Sequence, residues 1–244
     1  VILPIGDEPN PRRVPIVTIG LIAANVAVYA LVTLPLGAQR PRPNDPVLAE
    51  YVRVVSHALG GGVTRAQLAA ETTTYDLFVY THGFRSSAPS VQSLLVSLFL
   101  HAGFAHLFGN MLFLWIYGDN VEYRLGSVRY LGAYLVTGIA ATCAHWATAP
   151  DSPLPVIGAS GAISGILGFY FLWFPQNIVR LLWLLPPFLG RVIEVPARLV
   201  LGFYLVADNL LPFLIAGEGS GVAHGAHIGG FLAGLGLAWA ADRG

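Results

Sequence analysis

The chain has 244 residues, 55% of them hydrophobic and 11% charged, with 13 basic residues balanced by 13 acidic ones. Soluble domains carry roughly 25% charged residues, so this composition excludes an ordinary soluble domain, and the zero net charge offers nothing to attract a nucleic acid. The charges lie in islands: residues 14–39, 86–118, 130–150, 152–179 and 219–241 contain no Asp, Glu, Lys or Arg, and 199–217 contain only Asp208. These stretches accommodate six spans of roughly 17–25 residues, the length a bilayer needs. The expected fold class is therefore an all-α membrane protein.

In chain order, the first helix is expected at about 15–36, after "PNPRRVP". Its apolar run is too long for the core of a signal peptide, and no small-residue cleavage site stands out, so it is read as a true span. Residues 37–91 hold many Pro, Gly and charged residues and are too polar to span; they are expected to form a long outer loop with a short amphipathic helix near 47–59. The second helix is expected at 104–118, the third at 127–148 and the fourth at 159–174. Residues 176–194, with two adjacent prolines, two Arg and a Glu, read as a folded surface loop. Two more helices are expected at 196–216 and 221–241. The whole of 1–244 reads as a single membrane domain.

Arginine placement sets the expected topology, since all 13 basic residues are Arg. With the N-terminus cytoplasmic, the inner segments hold Arg12, Arg13, Arg124, Arg129, Arg180, Arg191, Arg198 and Arg243, whereas the short outer loops 149–158 and 217–220 hold none. That is the positive-inside pattern. Trp115, Trp173 and Trp239 fall toward inner helix ends and Trp146 toward an outer one, as an aromatic belt requires. The single cysteine, Cys143, excludes an intramolecular disulfide.

In this topology the second, fourth and sixth helices all enter from outside, and each places polar groups near its start. The second brings His106 and Asn110, one turn apart on one face. The fourth brings Ser160, and the sixth brings His224 and His227. At a 1.5 Å rise per residue, His106, Ser160 and His227 lie roughly 3–10 Å below the outer ends of their helices. A lone membrane serine more often bonds its own helix or aids packing, and a lone interior histidine is more often a satisfied packing residue. Convergence of Ser, His, His and Asn at one depth outweighs that reading, because polar groups at membrane depth are costly.

The spacing of small residues supports the convergence: Gly161 and Gly165, and Gly230 and Gly234, are GxxxG patterns that permit close helix approach. Ser160 and His227 then have the chemistry of a nucleophile and its base, without the usual orienting carboxylate. Asn110, His106 and the Ser160 N–H supply candidate donors to an oxyanion. Gly158 gives the backbone before the serine freedom to turn.

These motifs resemble the rhomboid family of intramembrane serine proteases. "HAGFAHLFGNMLFLWIYGDNVEYRLG" resembles the family's HxxxN motif and the ExRxxG-like turn after it, "GASG" resembles GxSG, and "AHIGGFLAG" resembles AHxxGxxxG, all in the expected order over about residues 12–241. The resemblance implies a six-transmembrane-helix rhomboid-like bundle. It makes Ser160 the nucleophile and His227 the general base, assigns His106, Asn110 and Gly158 to the oxyanion hole, and gives Glu122 and Arg124 a fold-supporting role at the inner side. It further implies cleavage of single-span membrane proteins near the outer surface, lateral substrate entry past the fifth helix, no cofactor, and a multi-pass protein of a bacterial cytoplasmic membrane whose partners are transmembrane-helix substrates and the lipid bilayer.

Two positions depart from the pattern. Gln92 and Ser93 stand where some bacterial members have a Trp-Arg pair, and Ser164 stands where some place a ring against the catalytic histidine, leaving His224 as the candidate to orient His227. Asp208 and Asn209, in the middle of the fifth helix, have no assigned role; a buried Asp there is expected to be protonated, paired or facing water.

The rival readings are weaker. No Glu accompanies His224 and His227 in an HExxH pattern, so no metal is expected. Asp208 is the sole mid-span aspartate, which leaves an aspartyl protease without its second carboxylate. A non-cleaving rhomboid-like pseudoenzyme typically lacks the serine or the histidine, and both are present. A transporter site calls for an inverted repeat or broken-helix pair that the sequence lacks.

Overall fold

The computed structural model describes residues 2–58, 62, 64–186, 189–216 and 222–243. The expected outer loop 217–220 therefore lies outside the described residues. In chain order the elements are β1 (Ile2–Glu8), α1 (Ile16–Val28) continued by a π turn (Tyr29–Thr33) and α2 (Leu34–Gly37), α3 (Pro46–Ala58), α4 (Arg65–Glu71), α5 (Thr74–His82) and α6 (Val91–Val96) with a 3-10 turn (Ser97–Phe99). Then follow α7 (Phe104–Leu125), α8 (Ser127–Thr148), α9 (Ser160–Trp173), β2 (Ile178–Trp183), β3 (Arg191–Pro196), α10 (Ala197–Leu205) with a π turn (Val206–Leu210), α11 (Leu211–Ala216) and α12 (His224–Ala241).

The helices fall where the charge-free stretches predict them, and α3 occupies the expected amphipathic segment. The second expected helix is longer than its apolar run: α7 continues through Asp119, Glu122 and Arg124 to Leu125. Gly126, at φ +78°, then breaks it before α8. By length and apolarity alone, Ile16–Gly37 and Ala197–Ile215 each suffice to cross a bilayer. Val91–Phe99 and Phe104–Leu125 together also suffice but meet at 88°, and Ser160–Trp173 is apolar but shorter.

The all-α expectation is corrected in one respect. A three-stranded antiparallel sheet, ordered β1-β2-β3, occupies the segment before α1 and the surface loop after α9. β1 pairs with β2 from Ile2↔Trp183 to Glu8↔Ile178, with an irregularity between Pro4 and Gly6. β2 pairs with β3 from Ile178↔Pro196 to Trp183↔Arg191.

The chain divides into two compact units. The first comprises residues 1–23, 108–148 and 160–244. Its centre is α9, where ten consecutive residues, Gly161 to Tyr170, are buried between α8 and α12. The packing is backbone on backbone: a Cβ on Gly230 would run into the carbonyl of Gly161, and one on Gly234 into that of Gly165. Only glycine allows that approach.

Glu122 ties the start of α1 to the end of α7, its carboxylate accepting from the N–H groups of Val17 and Thr18 at 2.9 and 2.8 Å and from the hydroxyls of Thr18 and Ser127 at 2.8 and 2.7 Å. A carboxylate at a helix N-terminus satisfies otherwise unpaired donors and complements the dipole. Arg124 bonds Asp242 at 2.7 Å and lies 4.3 Å over the Trp173 ring. Both residues thus carry structural contacts.

The second unit comprises residues 24–107 and 149–159. Three of its helices start with reciprocal capping boxes, Thr64 with Gln67, Thr73 with Asp76 and Ser90 with Ser93, which fix helix entry in a polar segment. Tyr75, Val79 and Leu100 form its core, with Val28, Val32, Phe78 and Ile157 against them. Without the Trp-Arg pair, the loop is anchored by its backbone. Phe84 N–H donates to Val156 O at 3.2 Å and Val156 N–H returns to Phe84 O at 2.8 Å, while Ser87 N–H donates to Ser152 O at 3.1 Å.

Candidate active site

Within the first unit, α9 begins at Ser160 and α12 carries His227 one turn from its start. The glycine contacts between these helices bring the serine hydroxyl and the imidazole together: His227 Nε2 lies 2.8 Å from Ser160 Oγ. Because Ser160 is the first helical residue, its N–H is among those with no partner inside the helix and points out at the positive end of the dipole.

The other ring nitrogen, His227 Nδ1, lies 2.7 Å from Asn209 Oδ1. Asn209 is 1% exposed and sits in the π turn that follows α10, and its Nδ2 donates to the carbonyl of Tyr204 at 2.8 Å. Tyr204 is itself held by a 2.7 Å bond between its hydroxyl and that of Ser164, and its ring centroid is 6.5 Å from that of His227 at an interplanar angle of 32°. Ser164 thus replaces a ring with a hydroxyl that pins a ring coming from α10.

His224, the candidate for orienting His227, instead stands edge-on, its centroid 6.4 Å away at 89°, while Asn209 takes the Nδ1 contact. Sequence reasoning noticed Asn209 without giving it a role and missed Tyr204 altogether. Asp208, the neighbour of Asn209, is exposed.

Asn110, on α7 in this same unit, is buried, and its Nδ2 has no hydrogen-bond partner among the described residues. An unsatisfied buried amide donor is costly unless something else accepts from it. His106 and Gly158 belong to the second unit. There, the His106 ring packs edge-on against His101, with centroids 5.1 Å apart. Gly158 has φ +125°, a conformation open to glycine, and its N–H donates to Ser97 O at 2.8 Å. That N–H is thus committed to Ser97 O. Among the described residues, no group of three or more His, Cys, Asp or Glu has the arrangement of a metal site.

A family model described as "Rhomboid domain" matches residues 88–243. The chain is similar to rhomboid protease GluP of Bacillus subtilis (strain 168), 37% identical over 142 residues, which is 58% of this chain and 24% of that protein. It is similar to Rhomboid-like protein 11, chloroplastic, of Arabidopsis thaliana, 30% identical over 174 residues, or 67% of this chain and 55% of that protein. It also resembles the mitochondrial presenilin-associated rhomboid-like protein of Homo sapiens, 26% identical over 151 residues, or 58% and 36% of the two chains. The chain therefore spans between about a quarter and about half the length of these relatives.

Proposed function

The chain belongs to the rhomboid family, and from that premise we propose that it is an intramembrane serine protease that hydrolyses peptide bonds of single-span membrane proteins near the outer membrane surface. The observation that carries this reading is the 2.8 Å contact between His227 Nε2 and Ser160 Oγ. In the proposed reaction, Ser160 Oγ attacks the scissile carbonyl while its proton passes to His227. His227 then delivers that proton to the leaving amine, and water, deprotonated by the same ring, releases the acyl group. The carbonyl oxygen becomes an anion in between. The Ser160 N–H and the unpartnered Asn110 amide are its proposed donors, where one side-chain donor is worth about 3–4 kcal/mol. A non-cleaving, helix-binding pseudoenzyme is disfavoured, because it has no use for a serine already bonded to a histidine.

Six crossings with a cytoplasmic N-terminus, in a bacterial inner membrane, complete the proposal, with the loop 37–91 as part of one rhomboid-like domain. Two pairings support it by parity. β1 precedes the first proposed span and β2 follows the fourth, so their pairing requires an even number of crossings between them. The Arg124–Asp242 pair supports it too, since the proposed second and sixth spans both end on one side. The test is labelling by a fluorophosphonate probe of the purified protein in lipid: label is expected on Ser160 and lost in Ser160→Ala. Label that persists in Ser160→Ala refutes the assignment.

A further inference from the structure

We infer that Asn209 is the positioning residue for His227, so that the site operates as a Ser160–His227–Asn209 chain rather than as a bare dyad; the inference rests on the protease reading above. The geometry fixes a proton at each step. The Tyr204 carbonyl only accepts, so the Asn209 group that faces it at 2.8 Å is the NH2 end of the amide. The other end, Oδ1, therefore faces His227 Nδ1 at 2.7 Å, and it too only accepts. His227 Nδ1 must then carry the ring proton. That leaves Nε2 with its lone pair directed at Ser160 Oγ, 2.8 Å away, which is the tautomer a general base requires.

The backbone around Asn209 is built to present it. The turn Val206–Leu210 is π-helical, and such turns rotate the residues that follow out of ordinary helical phase. Within this turn Asp208 and Leu210 are exposed while Asn209, between them, is buried. Burial of Asn209 strengthens its contact with His227 Nδ1 by lowering the polarity around the amide. Asn209 brings no charge, so its effect is orientation and proton placement rather than stabilisation of the imidazolium. Among the described residues, the titratable side chains whose rings face it include Tyr204, on α10, and His224, on α12.

The experiment uses the whole chain in lipid with four variants, Asn209→Leu, Asn209→Asp, Asn209→Ala and Ser160→Ala. Fluorophosphonate labelling is measured from pH 5 to 9, kcat and KM on a single-span substrate, and the His227 tautomer by nitrogen-15 NMR. Asn209→Leu, close in shape but without an acceptor, is expected to lower kcat and the labelling rate about 100-fold with KM held within about threefold. Its ring signal should shift toward a mixture of tautomers. Asn209→Asp keeps an acceptor toward Nδ1 but loses the donor to the Tyr204 carbonyl, and is expected to label faster than Asn209→Leu and more slowly than wild type. A folded Asn209→Leu that labels at the wild-type rate with an unchanged pH profile overturns the inference. So does an Asn209→Leu whose ring signal shows the wild-type tautomer, which would make the role one of packing. A wild-type chain that neither labels nor cuts refutes the protease reading instead, and the tautomer signal still decides the role of Asn209.

Discussion

Replacing Gly234 by alanine tests the helix contact that holds the site together. The new Cβ would fall far inside contact distance of the Gly165 carbonyl, and the atoms nearest to it are all backbone of Gly165, so relief requires α9 and α12 to separate. Overpacking of this kind costs about 1–3 kcal/mol, partly offset by the roughly 0.5–1 kcal/mol that alanine gains over glycine within a helix. Gly236, two residues along the same helix, has nothing within 4 Å of its would-be Cβ, so Gly236→Ala keeps the gain without the clash. The pair should differ by about 1–3 kcal/mol, roughly 2–12 °C in unfolding midpoint for a chain of this size. Separation by about 1 Å also stretches the Ser160–His227 contact, and a misplacement of that size costs on the order of 100-fold in rate. Thermal unfolding in detergent and probe labelling measure the two effects. Equal midpoints and equal labelling in the two variants would refute the backbone-on-backbone account.

Two further predictions concern Glu122 and Asp7. Glu122→Gln leaves one oxygen where two accepted four hydrogen bonds, and is expected to cost about 1–3 kcal/mol, read as a lower unfolding midpoint; an unchanged midpoint would remove Glu122 from the account of α1. Burial, reinforced by nearby Asp119, pushes the Asp7 carboxyl from an ordinary value near 3.8 up to about 7. Between those values the native state holds a proton that the unfolded state has lost, so this group's contribution to stability falls as pH rises from about 4 to about 7. Unfolding midpoints across that range should therefore fall more steeply for wild type than for Asp7→Asn, and the opposite sign of difference would contradict the burial of Asp7 against Tyr170 and Asn120.

The helices were legible because their determinants are local: runs without charge mark α1, α8 and α9, and the small-residue spacing in α9 and α12 announces a close contact. The sheet was not, because β1 lies about 170 positions from β2 in the chain, contains Pro4, and pairs through a register that no single segment encodes. Ser160 and His227 could be named from their motifs, but Asn209 could not be given a role. Its direction depends on the phase of the fifth helix, and the π turn at Val206–Leu210 changes that phase in a way residue counting at 3.6 per turn does not follow. Tyr204 was hidden for a related reason. The family pattern points to a ring four residues after Ser160 on its own helix, whereas the ring beside His227 belongs to another helix and only its hydroxyl tether, Ser164, occupies that position.

The central claim is tested most directly by cleavage of a single-span membrane substrate by the purified chain in lipid, wild type against Ser160→Ala, with unfolding midpoints recorded for both. The account predicts cleavage by wild type and none by Ser160→Ala at an unchanged midpoint. Cleavage that continues in a folded Ser160→Ala would contradict it.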